Sequence, residues 1–332
     1  MITLQEELQR IAKLVDDYLE QELSRGEPAR LWEAAYHLPK AGGKKLRPFL
    51  TINICKALGG KEEDALPPAA TIELIQAFSL VHDDIIDNDD LRRGVPTVHK
   101  KWGIPTAIVA GDLLHIKAYD LVTKAAMKNQ KLMSALPGIV GEINKSTIDI
   151  CEGQELDEEL EKMSHPTEDD YFKMISKKTA ALFEAATVIG AISAGLDSEM
   201  VNAARIFGHE LGVAFQIVDD MLGLTANEKE LGKPVGSDLR EGKRTLLVIQ
   251  ALAEAPLKER RIILKALGNT KATRKQLSAA TQAIVSTGAL EYASKKVDEH
   301  TEKARKALFS LPVSDERKVL DEALTFVVGR RH

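Results

Sequence analysis

The 332-residue chain has little cysteine, few aromatic residues and no surplus of basic ones. Cys55 and Cys151 are far apart and form no C-x-x-C pair. Neither a disulfide framework nor a cysteine-built zinc site is expected, and a reducing cytoplasm is the simpler setting. The 45 Lys and Arg against 50 Asp and Glu leave a net charge of −5. A general nucleic-acid binder needs a basic face to displace counterions, so that class is set aside, although a local basic pocket is not. Long apolar runs are missing too. The most apolar stretch, residues 180–196, carries Glu184 and is short for a bilayer, so it reads as a buried helix rather than a stable membrane insertion. Residues 1–7 lack the basic start and apolar core of a secretory signal. No G-x-G-x-x-G follows a strand pattern and no G-x-x-x-x-G-K-[ST] occurs, which leaves the common nucleotide folds without support.

What is present favours helix. Hydrophobic residues make up 44% of the chain, enough for a core. Ala, Leu, Glu and Lys dominate, and β-branched alternation is scarce. Thr3 and Glu6 form a possible capping box, followed by Leu4, Leu8, Ile11, Val15 and Tyr18 at helical spacing. Twelve prolines punctuate the chain and leave helix-length stretches between them. About a dozen helices and no substantial sheet are predicted. The polar stretches 88–99 and 225–244 read as long loops, which in compact domains are often functional. No Gly-, Ser- or Pro-rich linker interrupts residues 1–332, so one all-α domain with helices around one centre is expected.

Two segments carry chemistry. At about 100° per residue, Gln76, Asp83 and Asp87 fall within a roughly 40° sector, with Asp84 beside them. Carboxylates at an apolar helix end repel one another and oppose the helix dipole unless a cation neutralises them. One such cluster alone reads equally well as a solvated helix terminus. The second segment, residues 215–223, repeats the design with Gln216, Asp219 and Asp220 at i, i+3 and i+4. Hard oxygen ligands without His or Cys point to Mg²⁺, which takes one or two carboxylates and completes its shell with water and substrate phosphate. Basic groups beside flexible glycines supply the complement: Lys44 and Arg47, Arg92 and Arg93, Lys177 and Lys178, Lys233, and Lys243 with Arg244. Any one of them alone is more often a solvated surface charge.

With these motifs in order, the chain resembles the trans-isoprenyl diphosphate synthases, specifically the short-chain archaeal-type geranylgeranyl and farnesyl diphosphate synthases. The matching pieces are Gly42-Gly-Lys-Lys-Leu-Arg-Pro48, Asp83-Asp-Ile-Ile-Asp87, Leu91-Arg-Arg-Gly94, Gly111-Asp-Leu-Leu114, Gly153-Gln154, Lys178-Thr179, Gln216 and residues 232–238. The resemblance implies an all-α helical bundle around a prenyl-chain cavity, Mg²⁺ dependence and a homodimer. It further implies that Asp83, Asp87 and Asp219 bind Mg²⁺, with Asp84 and Asp220 supporting. Arg92, Lys178, Lys233 and Lys243 would hold an allylic diphosphate. Thr179, Gln216 and the Lys178 carbonyl would face the allylic cation. Isopentenyl diphosphate would rest on Lys44, Arg47, Arg93 and Gln76.

By the same resemblance, bulk at Phe78 and Ser79 limits product length. An aromatic at 78, serine at 79 and no insertion in the first aspartate motif resemble the geranylgeranyl synthases. The second aspartate motif departs from the family pattern, with Gly223 where a third aspartate is usual; the resemblance implies that this last aspartate acts less directly on metal than the first, so activity is expected to survive. The histidines, His82 and His99 included, show no metal spacing and read as structural. Two alternatives stay open: a terpene cyclase, which needs no isopentenyl diphosphate site, and a non-catalytic subunit of a heteromeric synthase. The basic C-terminus, residues 329–332, reads either as a cover over the diphosphates or as a disordered end.

Overall fold

The structure, a computed structural model, describes residues 3–195, 198–225 and 237–329. The described chain is almost entirely helical. In order, α1 spans Leu4–Leu23, α2 Ala29–Lys40, α3 Leu46–Ala57, α4 Glu62–Ile86, α5 Val98–Trp102, α6 Ile104–Ala126 and α7 Gln130–Lys162. α8 spans Glu168–Ile175 and runs through a π-helical turn, Ser176–Ala180, into α9, Ala181–Ser193. Then follow α10 Ser198–Thr225, α11 Ser237–Glu241, α12 Leu246–Glu254, α13 Leu257–Ala266, α14 Arg274–Ser286, α15 Ala289–Phe309 and α16 Asp315–Val328. Among the described residues the one sheet is a minimal hairpin, β1 Leu91–Arg92 against β2 Val95–Pro96.

The chain divides into two compact units. The first is Met1–Thr147, Leu182–Gly208 and Lys306–Ala323, and the second is Ile148–Ala181, His209–Arg305 and Leu324–His332.

In the first unit, α4 packs against α6 and α3. It is buried on nearly every side between Ala69 and Leu74, as its apolar sequence requires. Thr71 donates to the Ala118 carbonyl at 3.0 Å, and Thr51 to that of Ala186 at 2.9 Å, so these buried hydroxyls are satisfied. Gly190 lets its helix approach the Thr51 carbonyl too closely for any Cβ. The α1 capping box forms as read, Glu6 N–H donating to Thr3 Oγ1 and Thr3 N–H to Glu6 Oε2. The buried stripe of α1 is Ile11, Val15, Leu19 and Leu23, while Leu8 and Tyr18 lie at its margin.

Proline marks helix ends less well than the sequence suggests. Pro39, Pro67, Pro68 and Pro137 all lie inside helices. Each forfeits a backbone hydrogen bond; near the α4 prolines, burial of Asp64, Ala65 and Pro68 compensates, with Asn129 donating to Asp64 at 2.7 Å. The apolar stretch after residue 180 is a buried helix, and no described helix is long and apolar enough to cross a membrane.

In the second unit, α13 and α14 form a hairpin, and α12 packs on α14 and α8. Tyr171 is its largest fully buried side chain.

Candidate active site

The end of α4 sets the geometry in the first unit. Asp83 and Asp84 occupy the last turn and Asp87 is the C-cap. Their charge opposes the dipole, and Arg92 on the following hairpin answers it. Its Nη2 lies 2.6 Å from Asp84 Oδ1, 3.0 Å from Asp89 Oδ2 and 3.7 Å from Asp83 Oδ2. The hairpin turn residues, Arg93 and Gly94, both take positive φ, 54° and 78°, as a tight two-residue connection demands. This turn, hidden in what reads as a loop, is what brings Arg92 back to the aspartates. Burial pushes the Asp84 carboxyl up to about 6 against the pull of Arg92, which leaves it ionised at neutral pH. Asp84 therefore anchors Arg92, whereas Asp83 and Asp87 stay half-buried, one helical turn apart.

His82 is not disposed as a ligand. Its Nε2 sits 3.0 Å from the Ile108 carbonyl, and its ring fills the space that a Cβ at Gly111 would need. His99 is buried, with Nδ1 3.2 Å from Thr97 Oγ1.

The glycine-lysine loop before α3 wraps a second cationic group. Gly42 and Gly43 have φ of 82° and 129°, and a Cβ at Gly43 would press on the Arg93 guanidinium. Arg93 donates to the Gly42 carbonyl and, at 3.4 Å, to that of Leu38. Lys45, at φ 45°, buries its ammonium 3.0 Å from Glu73 Oε1 and 3.1 Å from Asp16 Oδ1. Arg93 Nη2 reaches the same Glu73 oxygen at 3.5 Å. Arg47 lies over the Phe183 ring at 4.2 Å, and its Nε is buried with no hydrogen-bond partner among the described residues. Burial draws its guanidinium down to about 10, with Glu73 opposing and Arg93 adding to the fall, so it remains charged at neutral pH. Lys45 is satisfied by Glu73, Asp16 and the Pro39 carbonyl, which leaves Arg47 and Arg93 under-compensated and with unspent affinity for an anion. Lys44 is exposed on the same loop, and Gln76 is half-buried on α4.

Glu73 is the residue that sequence reasoning missed here. Its signal is a lone carboxylate inside the apolar run 69–77. Glu73→Gln is expected to leave Lys45 with the partly exposed Asp16 and the neutral Pro39 carbonyl. The variant should lose about 2–3 kcal/mol of stability, read from the urea midpoint.

Phe78 stacks on His115 of α6 at 4.9 Å and meets His82 edge-on at 5.1 Å; His115 in turn meets Tyr119 at 5.3 Å. Ser79 turns its hydroxyl back to the Gln76 carbonyl at 3.0 Å. His115 and Tyr119, spaced i and i+4 on α6, extend the aromatic row beyond what the sequence singled out.

In the second unit a hydrogen-bonded chain leads to the second aspartates. Thr179 donates to Gln216 Oε1 at 2.7 Å, Gln216 Nε2 to Asp220 Oδ1 at 2.8 Å, and Tyr171 to Asp220 Oδ2 at 2.6 Å. Burial, aided by Asp238 and Asp219, lifts Asp220 up to about 7 against the hydrogen bonds it accepts. Asp219 is exposed. Lys177 and Lys178 sit in the π-helical turn and take different partners. Lys177 meets Asp149 and Glu152 at 2.6 and 2.5 Å, and Lys178 meets Asp157 at 2.5 Å. π-turns cluster at functional sites because the extra residue redirects side chains. Gly153 permits this turn, since a Cβ there would collide with the Lys178 backbone. Lys243 lines a small recess with Asp220, Gly223, Asp238 and Thr245. A Cβ at Gly223 would meet the Asp238 carboxylate, so Asp238 stands where the missing aspartate would begin. Lys233 and residues 330–332 lie outside the described residues.

Among the described residues no three His, Cys, Asp or Glu converge to hold a metal by themselves. The donors at both aspartate motifs are hard carboxylates, with the neighbouring histidine turned away. That chemistry fits Mg²⁺, which needs few protein ligands when substrate oxygens complete its shell.

Helical scaffold, carboxylate helix ends and surplus cations beside them define an all-α isoprenoid-synthase-type fold. The sequence pattern of the polyprenyl synthetase family matches residues 28–284. The geranylgeranyl diphosphate synthase of Sulfolobus acidocaldarius is 44% identical over 97% of both chains. The short chain isoprenyl diphosphate synthase of Methanothermobacter thermautotrophicus is 41% identical over 100% of both. The crystal structure of geranylgeranyl pyrophosphate synthetase from Pyrococcus horikoshii superposes with a TM-score of 0.88 at 41% identity, covering 98% of each chain. This chain belongs to the polyprenyl synthetase family. It is a prenyltransferase that elongates prenyl chains, and the catalytic reading holds over that of a silent subunit.

Proposed function

We propose that the enzyme joins isopentenyl diphosphate to allylic diphosphates and makes geranylgeranyl diphosphate, with farnesyl diphosphate as a shorter product. The observation that carries the diphosphate reading is the pair Arg47 and Arg93, which have Glu73 as their shared buried carboxylate while Lys45 already draws on it. Arg47, Arg93, Lys44 and Gln76 hold isopentenyl diphosphate. Arg92, Lys178, Lys233 and Lys243 hold the allylic diphosphate. Asp83, Asp87 and Asp219 would hold Mg²⁺, which when bound offsets negative charge on the departing diphosphate.

The allylic C–O bond breaks and its electron pair leaves with diphosphate. The dipoles of Thr179, Gln216 and the Lys178 carbonyl face the cation left behind, and the Thr179–Gln216 hydrogen bond fixes two of them. The isopentenyl double bond forms the new C–C bond, and a proton passes to the released diphosphate. Phe78, backed by His115, closes the floor beneath the growing chain. All these groups act within one polyprenyl synthase domain over residues 1–332.

Two copies associate through α6, where the apolar side chains Ile104, Ile108 and Ile116 are 52%, 45% and 64% exposed. A cytoplasmic location agrees with two free cysteines.

The test is turnover of the purified chain with Mg²⁺, isopentenyl diphosphate and a farnesyl primer. The linear geranylgeranyl product is expected; cyclic hydrocarbons or no elongation refute the reading. Phe78→Ala should release products longer than geranylgeranyl, and an unchanged product distribution removes Phe78 as the floor.

A further inference from the structure

The charge of this chain is unevenly placed. Residues 257–275 hold seven cations, Lys258, Arg260, Arg261, Lys265, Lys271, Arg274 and Lys275, against one anion, Glu259. That segment carries +6 in a protein of net −5, so the remainder carries −11. It coincides with the α13–α14 hairpin. All seven are exposed, on α13, the following loop or the first turn of α14, and Arg260 also donates to the Leu252 carbonyl. Among the described residues Lys258, Arg261, Lys265, Lys271 and Lys275 have no ion pair. The first turn of α14 contains no acidic residue beside Lys275, whose charge there opposes the helix dipole.

The same surface exposes apolar side chains. Leu257 and Leu264 are 73% and 52% exposed. Seven residues apart, they fall about 20° from one another on α13, with Arg260 and Arg261 on either side at roughly 60° and 40°. The opposite side of α13 is buried through Ile263 and Ala266. A phosphodiester polyanion would use the cations and leave the leucines in water. An anionic bilayer surface uses both, headgroups meeting the basic residues and the leucines entering the acyl boundary.

We infer that the α13–α14 hairpin is a docking surface for anionic lipid bilayers, which holds the enzyme at the membrane surface without a spanning helix. One further reason rests on the proposed function: a long-chain prenyl diphosphate is itself an amphiphile, and release at a bilayer relieves the exposure of its tail to water.

The experiment is co-sedimentation of the full chain with vesicles of phosphatidylcholine alone or mixed with about one-third phosphatidylglycerol. Binding to the mixed vesicles only, weakening as salt is raised, is expected. The triple variant Lys258→Glu, Arg261→Glu and Lys265→Glu should bind at least ~25-fold more weakly, and Leu257→Ser with Leu264→Ser should also weaken binding. Elongation of a short primer in solution should be unchanged in both variants. Absence of binding to mixed vesicles, indifference to the charge reversals, or capture by duplex RNA with none by vesicles would overturn the inference. Because sedimentation requires no turnover, such a failure leaves the elongation assay standing as a separate test of the proposed function.

Discussion

Replacing Asp83 with alanine is expected to reduce elongation by at least ~10³-fold, because on the proposed reading this carboxylate would help hold the Mg²⁺ that offsets negative charge on the leaving diphosphate, an effect worth several kcal/mol of barrier. Folding should be nearly untouched. Asp83 is half-buried, and its closest approach to Arg92, 3.7 Å, is the loosest of that arginine's three carboxylate contacts. The neighbouring substitution should behave differently. Asp84→Ala removes the buried partner 2.6 Å from Arg92 and leaves the guanidinium with Asp89 and Asp83. About 3 kcal/mol of stability should be lost, visible as a lower urea midpoint with an unchanged slope. If the two variants lose stability equally, the division between an anchoring and a metal-facing aspartate is wrong. If Asp83→Ala retains turnover, the assignment of metal to this motif fails.

Arg47→Leu is expected to part stability from activity in the opposite sense. The guanidinium over Phe183 has a buried Nε without a hydrogen bond and shares Glu73 with two other cations. Exchanging it for an apolar side chain removes an expensive buried charge, so stability should hold or rise by about 1 kcal/mol. The KM for isopentenyl diphosphate should rise roughly 100-fold, the cost of losing a charge-assisted contact to the substrate. The allylic primer should bind as before. A variant that unfolds, or one that loses affinity for both substrates alike, would contradict this role for Arg47.

Much of this site is legible from residue spacing. The helical period alone places Gln76, Asp83 and Asp87 in one sector, and hard oxygen donors without a nitrogen or sulfur partner are the set that would suit Mg²⁺ in the proposed site. The buried nature of the stretch after residue 180 and the cap at Thr3 also follow from local pattern. What the sequence hides depends on contacts distant along the chain or on unusual backbone. Arg92 reaches Asp84 only because two consecutive residues with positive φ reverse the chain inside an apparent loop. Lys177 and Lys178 diverge through a π-turn that no propensity scale marks. Glu73 reads as a flaw in an apolar helix until Lys45 and Arg93 are seen beside it. Tyr171 and Asp157 are ordinary residues in the sequence and gain meaning only from Asp220 and Lys178. Prolines misled for a related reason: burial at the start of α4 outweighs the lost backbone hydrogen bonds.

The fit of His82 against Gly111 also binds two distant positions into one evolutionary unit. The ring occupies the volume a side chain at 111 would fill, and its hydrogen bond to the Ile108 carbonyl holds the turn that immediately precedes Asp83. Neither residue touches substrate in this scheme, yet neither is free to drift alone. A larger residue at 111 is compatible only with a smaller one at 82, and such an exchange would surrender the bond that fixes the aspartate's neighbour. Variation at these two positions should therefore be correlated, with paired replacements tolerated where either single replacement is not.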